Sequence, residues 1–89
     1  MGHEHILHPG TNIVGRDIGC DVALTWENGI SRRHAELVVD QNGVTVNDLG
    51  STNGTYIDGF LLSAPTLLAL GQSVKFGTVE CKLKQDRPV

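Results

Sequence analysis

Three stretches gather most of the strong hydrogen-bond donors in this chain: Gly15-Arg16, Ser31-Arg32-Arg33-His34 and Leu49-Gly50-Ser51-Thr52-Asn53-Gly54-Thr55. A guanidinium presents a planar fork of N–H groups to an oxyanion, hydroxyls and an amide add neutral donors, and glycines leave backbone N–H groups uncovered. Together these are the groups that hold a phosphate ester carried on another protein. They are not the parts of a catalyst, because the sequence sets no nucleophile beside a base, no paired carboxylates and no metal-ligand cluster among them.

Taken singly, each stretch also has an ordinary reading. A Gly-Arg pair at a strand end is commonly a solvated surface arginine. Ser31 and Arg32 follow an Asn28-Gly29-Ile30 turn, and two adjacent arginines stand out because the first sixty residues are otherwise acidic. His34, flanking a strand, reads as a hydrogen-bonded structural residue and not as a ligand or base. The stretch from Leu49 to Thr55 is a polar loop without GxxxxGK[ST] or GxGxxG, and no helix follows it to hold a pyrophosphate. Asn53-Gly54-Thr55 matches the glycosylation sequon, which is not expected to be used without a secretory signal.

The elements that must position these groups are short strands. Ala35, Leu37 and Val39 alternate with polar neighbours, Gln41-Asn42-Gly43 turns the chain, and Val44 to Asn47 alternates again, which predicts a hairpin with positive φ at Asn42-Gly43. Further strands are predicted at Asn12 to Gly15, Val22 to Leu24, Thr55 to Ile57, Ser73 to Phe76 and Thr78 to Leu83. Pro9-Gly10, Asn28-Gly29, Asp58-Gly59 and Gly71 punctuate them. Ala64 to Leu70 leans towards helix but carries Pro65 and is too short to matter. Regularly spaced short strands specify an all-β sandwich or barrel.

Size and charge narrow the partners. The 89 residues make one small domain, with 1–11 as a short lead-in and 85–89 as a tail, and with only one Trp, one Tyr and two Phe the core must be aliphatic. Trp26 is expected in the core or partly buried. A net charge of −3 argues against a broad nucleic-acid face. No apolar run approaches the ~20 residues of a membrane helix, and Cys20 and Cys81 suit free thiols in a reducing compartment, so a cytoplasmic setting is expected. His3, His5 and His8 lack Cys or carboxylate partners at ligand spacing, and neither a metal nor a cofactor is expected.

In order and spacing the motifs resemble the forkhead-associated (FHA) domain family. The resemblance runs from Asn12-Ile13-Val14-Gly15-Arg16 through Cys20-Asp21-Val22, Ile30 to Ala35 and Asp48 to Ile57, and ends at Leu70 to Gly77. It implies a sandwich of two antiparallel or mixed sheets whose loops at one end form a phosphothreonine-peptide site. Carried over by position, Arg16 clamps the phosphate, Ser31 donates its hydroxyl, Thr52 donates hydroxyl or backbone N–H, and Arg32 touches the phosphate or the peptide main chain. Asn53 bonds the peptide backbone, Gly50 and Gly54 shape the loop, His34 locks the Ser31 loop to its neighbours, and Arg33 faces solvent or acidic peptide residues. Peptide residues after the phosphothreonine, notably the third, would meet the loops Trp26 to Ile30 and Asp58 to Phe60, with an apolar or basic residue favoured there.

The resemblance thus implies a non-enzymatic signalling module that docks phosphothreonine-containing segments of a partner or of its own parent protein. The alternative is a phosphate-independent interaction or dimerisation module on the same scaffold. The family's first strand, which pairs with the last, is short or missing here. That leaves Thr78 to Lys84 as an edge open to strand exchange between two copies.

Overall fold

A computed structural model describes residues 5–83 of the chain. Among these described residues are nine strands: β1 (Gly10–Gly15), β2 (Val22–Ala23), β3 (Ala35–Asp40), β4 (Gly43–Asp48), β5 (Thr55–Ile57), β6 (Phe60–Leu61), β7 (Thr66–Leu68), β8 (Ser73–Phe76) and β9 (Val79–Lys82). They form two sheets, β2-β1-β3-β4-β7 and β6-β5-β8-β9. The first sheet is mixed, because β2 runs parallel to β1 while every other neighbour is antiparallel.

The alternation that marked β3 and β4 is the alternation that fills the core. Ala35, Leu37, Val44 and Val46 turn inward from the first sheet, and Ile57, Val74 and Phe76 meet them from the second. Val14, Val22, Leu24, Ile30 and Leu68 complete a core that is aliphatic except for Phe76. Burying a side chain of this size contributes roughly 1.5–3 kcal/mol each.

Several expectations change. Thr66–Leu68 is a strand and not a helical stub: β7 adds to the edge of β4, with Val44 opposite Leu68, and buries Leu68. Sheet pairing there overrides local helical leaning. Phe60–Leu61, given no element by sequence, closes a hairpin on β5. The positive-φ pair that tight hairpins need is found at Asp58 (φ 49°) and Gly59 (φ 86°), not at Asn42-Gly43, where only Gly43 is positive. At Asn42 the Asp40 carboxylate accepts the backbone N–H at 2.8 Å and shapes the turn instead. Trp26 is half exposed, at 50%, and lies outside the core.

Among the described residues no strand precedes β1, and β9 has a neighbour only in β8. His3 and Lys84 lie outside the described residues. No group of three His, Cys, Asp or Glu side chains among the described residues is placed to hold a metal ion, and both cysteines are free thiols. No helix among those residues is long and apolar enough to cross a membrane.

Candidate functional site

The strand directions bring the three donor stretches to one end of the sandwich. Arg16 leaves the end of β1, residues 31–34 lead into β3, and 49–54 join β4 to β5. Antiparallel pairing puts the Gly77-Thr78 turn between β8 and β9 at the same end. The close approach begins at Gly15, where an added Cβ would run into the carbonyl of Arg32. Only glycine lets β1 lie so near that loop. Backbone bonds then tie the two together, from Arg16 N–H to the Ser31 carbonyl at 3.0 Å and from His34 N–H to the Val14 carbonyl at 2.8 Å.

His34 is the bolt. It is fully buried, its Nδ1 accepts the Ser31 backbone N–H at 3.1 Å, and its Nε2 donates to the Gly54 carbonyl at 2.7 Å. Those two bonds require the neutral tautomer with the proton on Nε2. Its ring edge meets Phe76, with centroids 6.0 Å apart at 83°, so the ring is fixed from the core side as well. The same Gly54 carbonyl accepts the Gly77 N–H at 2.9 Å, and the third loop joins the knot.

Asp48 is the second organiser, and the sequence reading gave it no role. One carboxylate oxygen accepts the hydroxyls of Ser51 and Thr55, each at 2.6 Å, and the other accepts the backbone N–H groups of Gly50 and Ser51, each at 3.0 Å. Partial burial would push its carboxyl upward. The bonds from Ser51 and Thr55 outweigh this and hold it below the ordinary value of 3.8. The Asp-x-x-Ser spacing before a Gly-rich loop was the signal that could have marked it. Gly50 (φ 75°) and Gly54 (φ 86°) let the loop between them turn back.

With the loops fixed, the remaining donors are poised. Arg16 is half buried, and its Nε donates to the Ile30 carbonyl at 3.1 Å. That bond orients the guanidinium and leaves its two terminal nitrogens without a partner among the described residues. Ser31 Oγ accepts the Thr52 backbone N–H at 3.0 Å, so the hydroxyl hydrogen of Ser31 stays available while the Thr52 backbone N–H does not. Of the two donors expected from Thr52, the exposed side-chain hydroxyl is the one left. Asn53 donates through Nδ2 to the Gly29 carbonyl at 2.9 Å, which leaves its Oδ1 as an acceptor. Arg32 and Arg33 are exposed and make no side-chain hydrogen bond or ion pair among the described residues.

Two predicted neighbours part company. The Trp26 to Ile30 loop borders the site, but Asp58 to Phe60 does not, because β5 carries the chain three residues, about 10 Å, away before that turn. The loop that closes on 26–30 is Gly77-Thr78. Thr78 occupies the space beside Gly29 and its hydroxyl donates to Glu27 at 3.4 Å, and a Cβ on Gly77 would strike the Gly29 carbonyl. The lone glycine after Phe76 was the available sign of that contact.

A family model described as FHA domain matches residues 12–77. The chain therefore belongs to the FHA domain family, a family of binding modules. It is 34% identical over 89 residues to Nibrin of Danio rerio, covering 97% of this chain and 11% of that protein. It is 35% identical over 82 residues to the FHA domain-containing protein FhaA of Mycobacterium tuberculosis, covering 89% of this chain and 15% of that protein. It thus spans a small part of either relative. Among solved structures, an FHA domain studied for phosphothreonine-dependent interactions superposes with a TM-score of 0.83 at 32% identity, over 92% of this chain and 83% of that one. The FHA domain of the CT664 protein from Chlamydia trachomatis gives a TM-score of 0.82 at 36% identity, over 90% and 82% of the two chains. Mycobacterium tuberculosis EmbR, solved in complex with a low-affinity phosphopeptide, gives 0.77 at 26% identity, over 85% of this chain and 20% of that one.

Proposed function

We propose that this domain is a signalling module that docks phosphothreonine-containing protein segments, with the phosphate held by Arg16, Ser31, Thr52 and Arg32. The observation that carries the reading is how the donors are divided. The Arg16 Nε and the Ser31 oxygen are tied down by protein partners, while the guanidinium tip and the Ser31 and Thr52 hydroxyl hydrogens stay free at the same loop end. A phosphate brings about −1.5 to −2 charges and three acceptor oxygens, which match those free donors. Because the protein groups are already oriented, little further ordering opposes binding.

Asn53, its amide turned by Gly29, presents Oδ1 to a peptide N–H beside the phosphorylated residue. Residues following the phosphothreonine run towards Trp26, Glu27 and Thr78, where a basic or apolar side chain fits better than an acidic one. The setting is intracellular, where kinases write the mark, and the docked segment belongs to another chain or to the parent protein.

Isothermal titration with matched threonine, phosphoserine and phosphothreonine peptides tests this. Expected is a phosphothreonine Kd near micromolar, about −8 kcal/mol, with no measurable binding of the unmodified peptide. Equal affinity for modified and unmodified peptides, unchanged by Arg16→Ala, would instead support a phosphate-independent interaction module. The edge of β9, which has no second strand beside it among the described residues, is the feature that favours that second reading.

A further inference from the structure

The hydrogen-bonding pattern of β9 says which of its backbone groups face outward. Leu83, just beyond the strand, uses its N–H on the Gln72 carbonyl and its carbonyl on the Gly71 N–H, so its main chain points towards β8. Backbone direction alternates along a strand, so Cys81 and Val79 also face β8, and Glu80 and Lys82 present N–H and C=O to the side where no strand lies among the described residues. Their side chains are exposed on the outer face of the sheet, whereas Val79, Cys81 and Leu83 pack against the core.

We propose that this edge pairs with the same edge of a second copy of the chain, antiparallel and centred on Cys81. A two-fold axis there sets Glu80 opposite Lys82 of the second copy, twice, and Val79 opposite Leu83 of the second copy, twice. The outward-facing residues Glu80 and Lys82 then exchange N–H···O=C bonds, as a closely bonded antiparallel pair does. Opposite charges face each other on the solvent side and apolar side chains continue the core face across the junction. An axis centred on Glu80 or Lys82 would set like charges against themselves, so the charge order selects the register. Within one copy Glu80 is already opposite Lys75 of β8, and the pairing would place it between two lysines. The two Cys81 residues meet at a pair without backbone bonds, with Cα atoms about 4.5 Å apart, inside the roughly 4.4–6.8 Å range that a disulfide spans. The pairing stands apart from the phosphate site, and neither reading depends on the other.

Sedimentation velocity over a concentration series tests the pairing on the 89-residue chain, with Cys20→Ser as the background. Glu80→Lys and Lys82→Glu alter exposed side chains only, and each is expected to weaken self-association about tenfold, since two facing pairs turn repulsive. The double charge exchange restores opposite signs and should return the affinity to within about threefold of the parent. In parallel, diamide takes one hydrogen from each of two thiols, closing an S–S bond and becoming the hydrazine. A covalent dimer is expected that Cys81→Ser abolishes. Burial, and to a lesser degree Glu80, pushes the Cys81 thiol upward, so the reaction is run at alkaline pH. A chain that stays monomeric at every concentration and gives no covalent dimer overturns the proposal. So do single reversals without effect, or a double exchange that fails to recover.

Discussion

The two ends of this sandwich are both made of turns, but they are packed differently. At the far end the Asp58 carboxylate accepts the Ser73 backbone N–H and the Gln72 amide, yet the turn glycines have room, since a Cβ on Gly59 or Gly71 would meet open space. At the loop end, a Cβ on Gly15 or Gly77 would meet backbone, and polar side chains join segments far apart in sequence, as in Ser31 with Thr52, Asn53 with Gly29 and His34 with Gly54. One end leaves space around its turn glycines and the other packs distant backbone directly against them. The tightly packed end is where irregular backbone can be stiff enough to hold a ligand's geometry.

That contrast can be broken most forcefully at its glycines. Gly15→Ala pushes a methyl into the Arg32 carbonyl and should lower stability by about 3 kcal/mol in urea unfolding. Gly59→Ala, strained only by its φ, should lower it by about 1 kcal/mol. Equal losses would mean that the loop end is no tighter than the far end. Next in size, Arg16→Ala should weaken phosphothreonine-peptide binding by about 2 kcal/mol or more, roughly thirtyfold, because a partly desolvated phosphate loses its fork. Its stability should fall by only about 1 kcal/mol, the loss of the Nε bond to Ile30, so the larger binding loss separates binding from folding.

Ser31→Ala sharpens the point, since it removes the proposed donor to the phosphate and an acceptor for the Thr52 N–H together. Both binding and stability should fall, each by about 1 kcal/mol. The smallest effect is electrostatic. Because the Asp48 carboxyl lies below 3.8 when folded, its contribution is fully present above that value and fades as pH falls through the folded value. Stability followed between pH 6 and pH 2, about the carboxylate range, should therefore decline less steeply in Asp48→Asn than in the parent. Parallel declines would show that the Asp48 bonds do not tighten the loop.

Much of this was legible beforehand because it rests on periodicity and on residue type. The β3–β4 hairpin follows from alternation at Ala35, Leu37, Val44 and Val46, and the aliphatic core follows from a scarcity of aromatics. The phosphate-binding candidates were visible as donors and glycines in a characteristic order. What escaped did so for physical reasons. β6 and β7 are too short to show a period, and Thr66–Leu68 becomes a strand only because β4 offers it an edge. Asp48 is one strand-end carboxylate among several in the sequence, and only the fold brings its four hydrogen-bond donors to it. Asp58 to Phe60, expected beside the peptide from the family resemblance, is carried away from the site by the direction of β5, which no local pattern reveals.

Composition and spacing by themselves determined the class of fold, the family pattern and the inventory of groups able to meet a phosphate, since these depend on residue identity and separation along the chain. The tertiary structure alone decided which of those groups remain free. Whether Ser31 gives its hydrogen or Thr52 its N–H, which way Asn53 turns its amide, and which β9 backbone groups face out are settled by partners twenty or more residues away or by strand direction. No local rule carries that information, because a hydrogen bond belongs to two places in the chain at once.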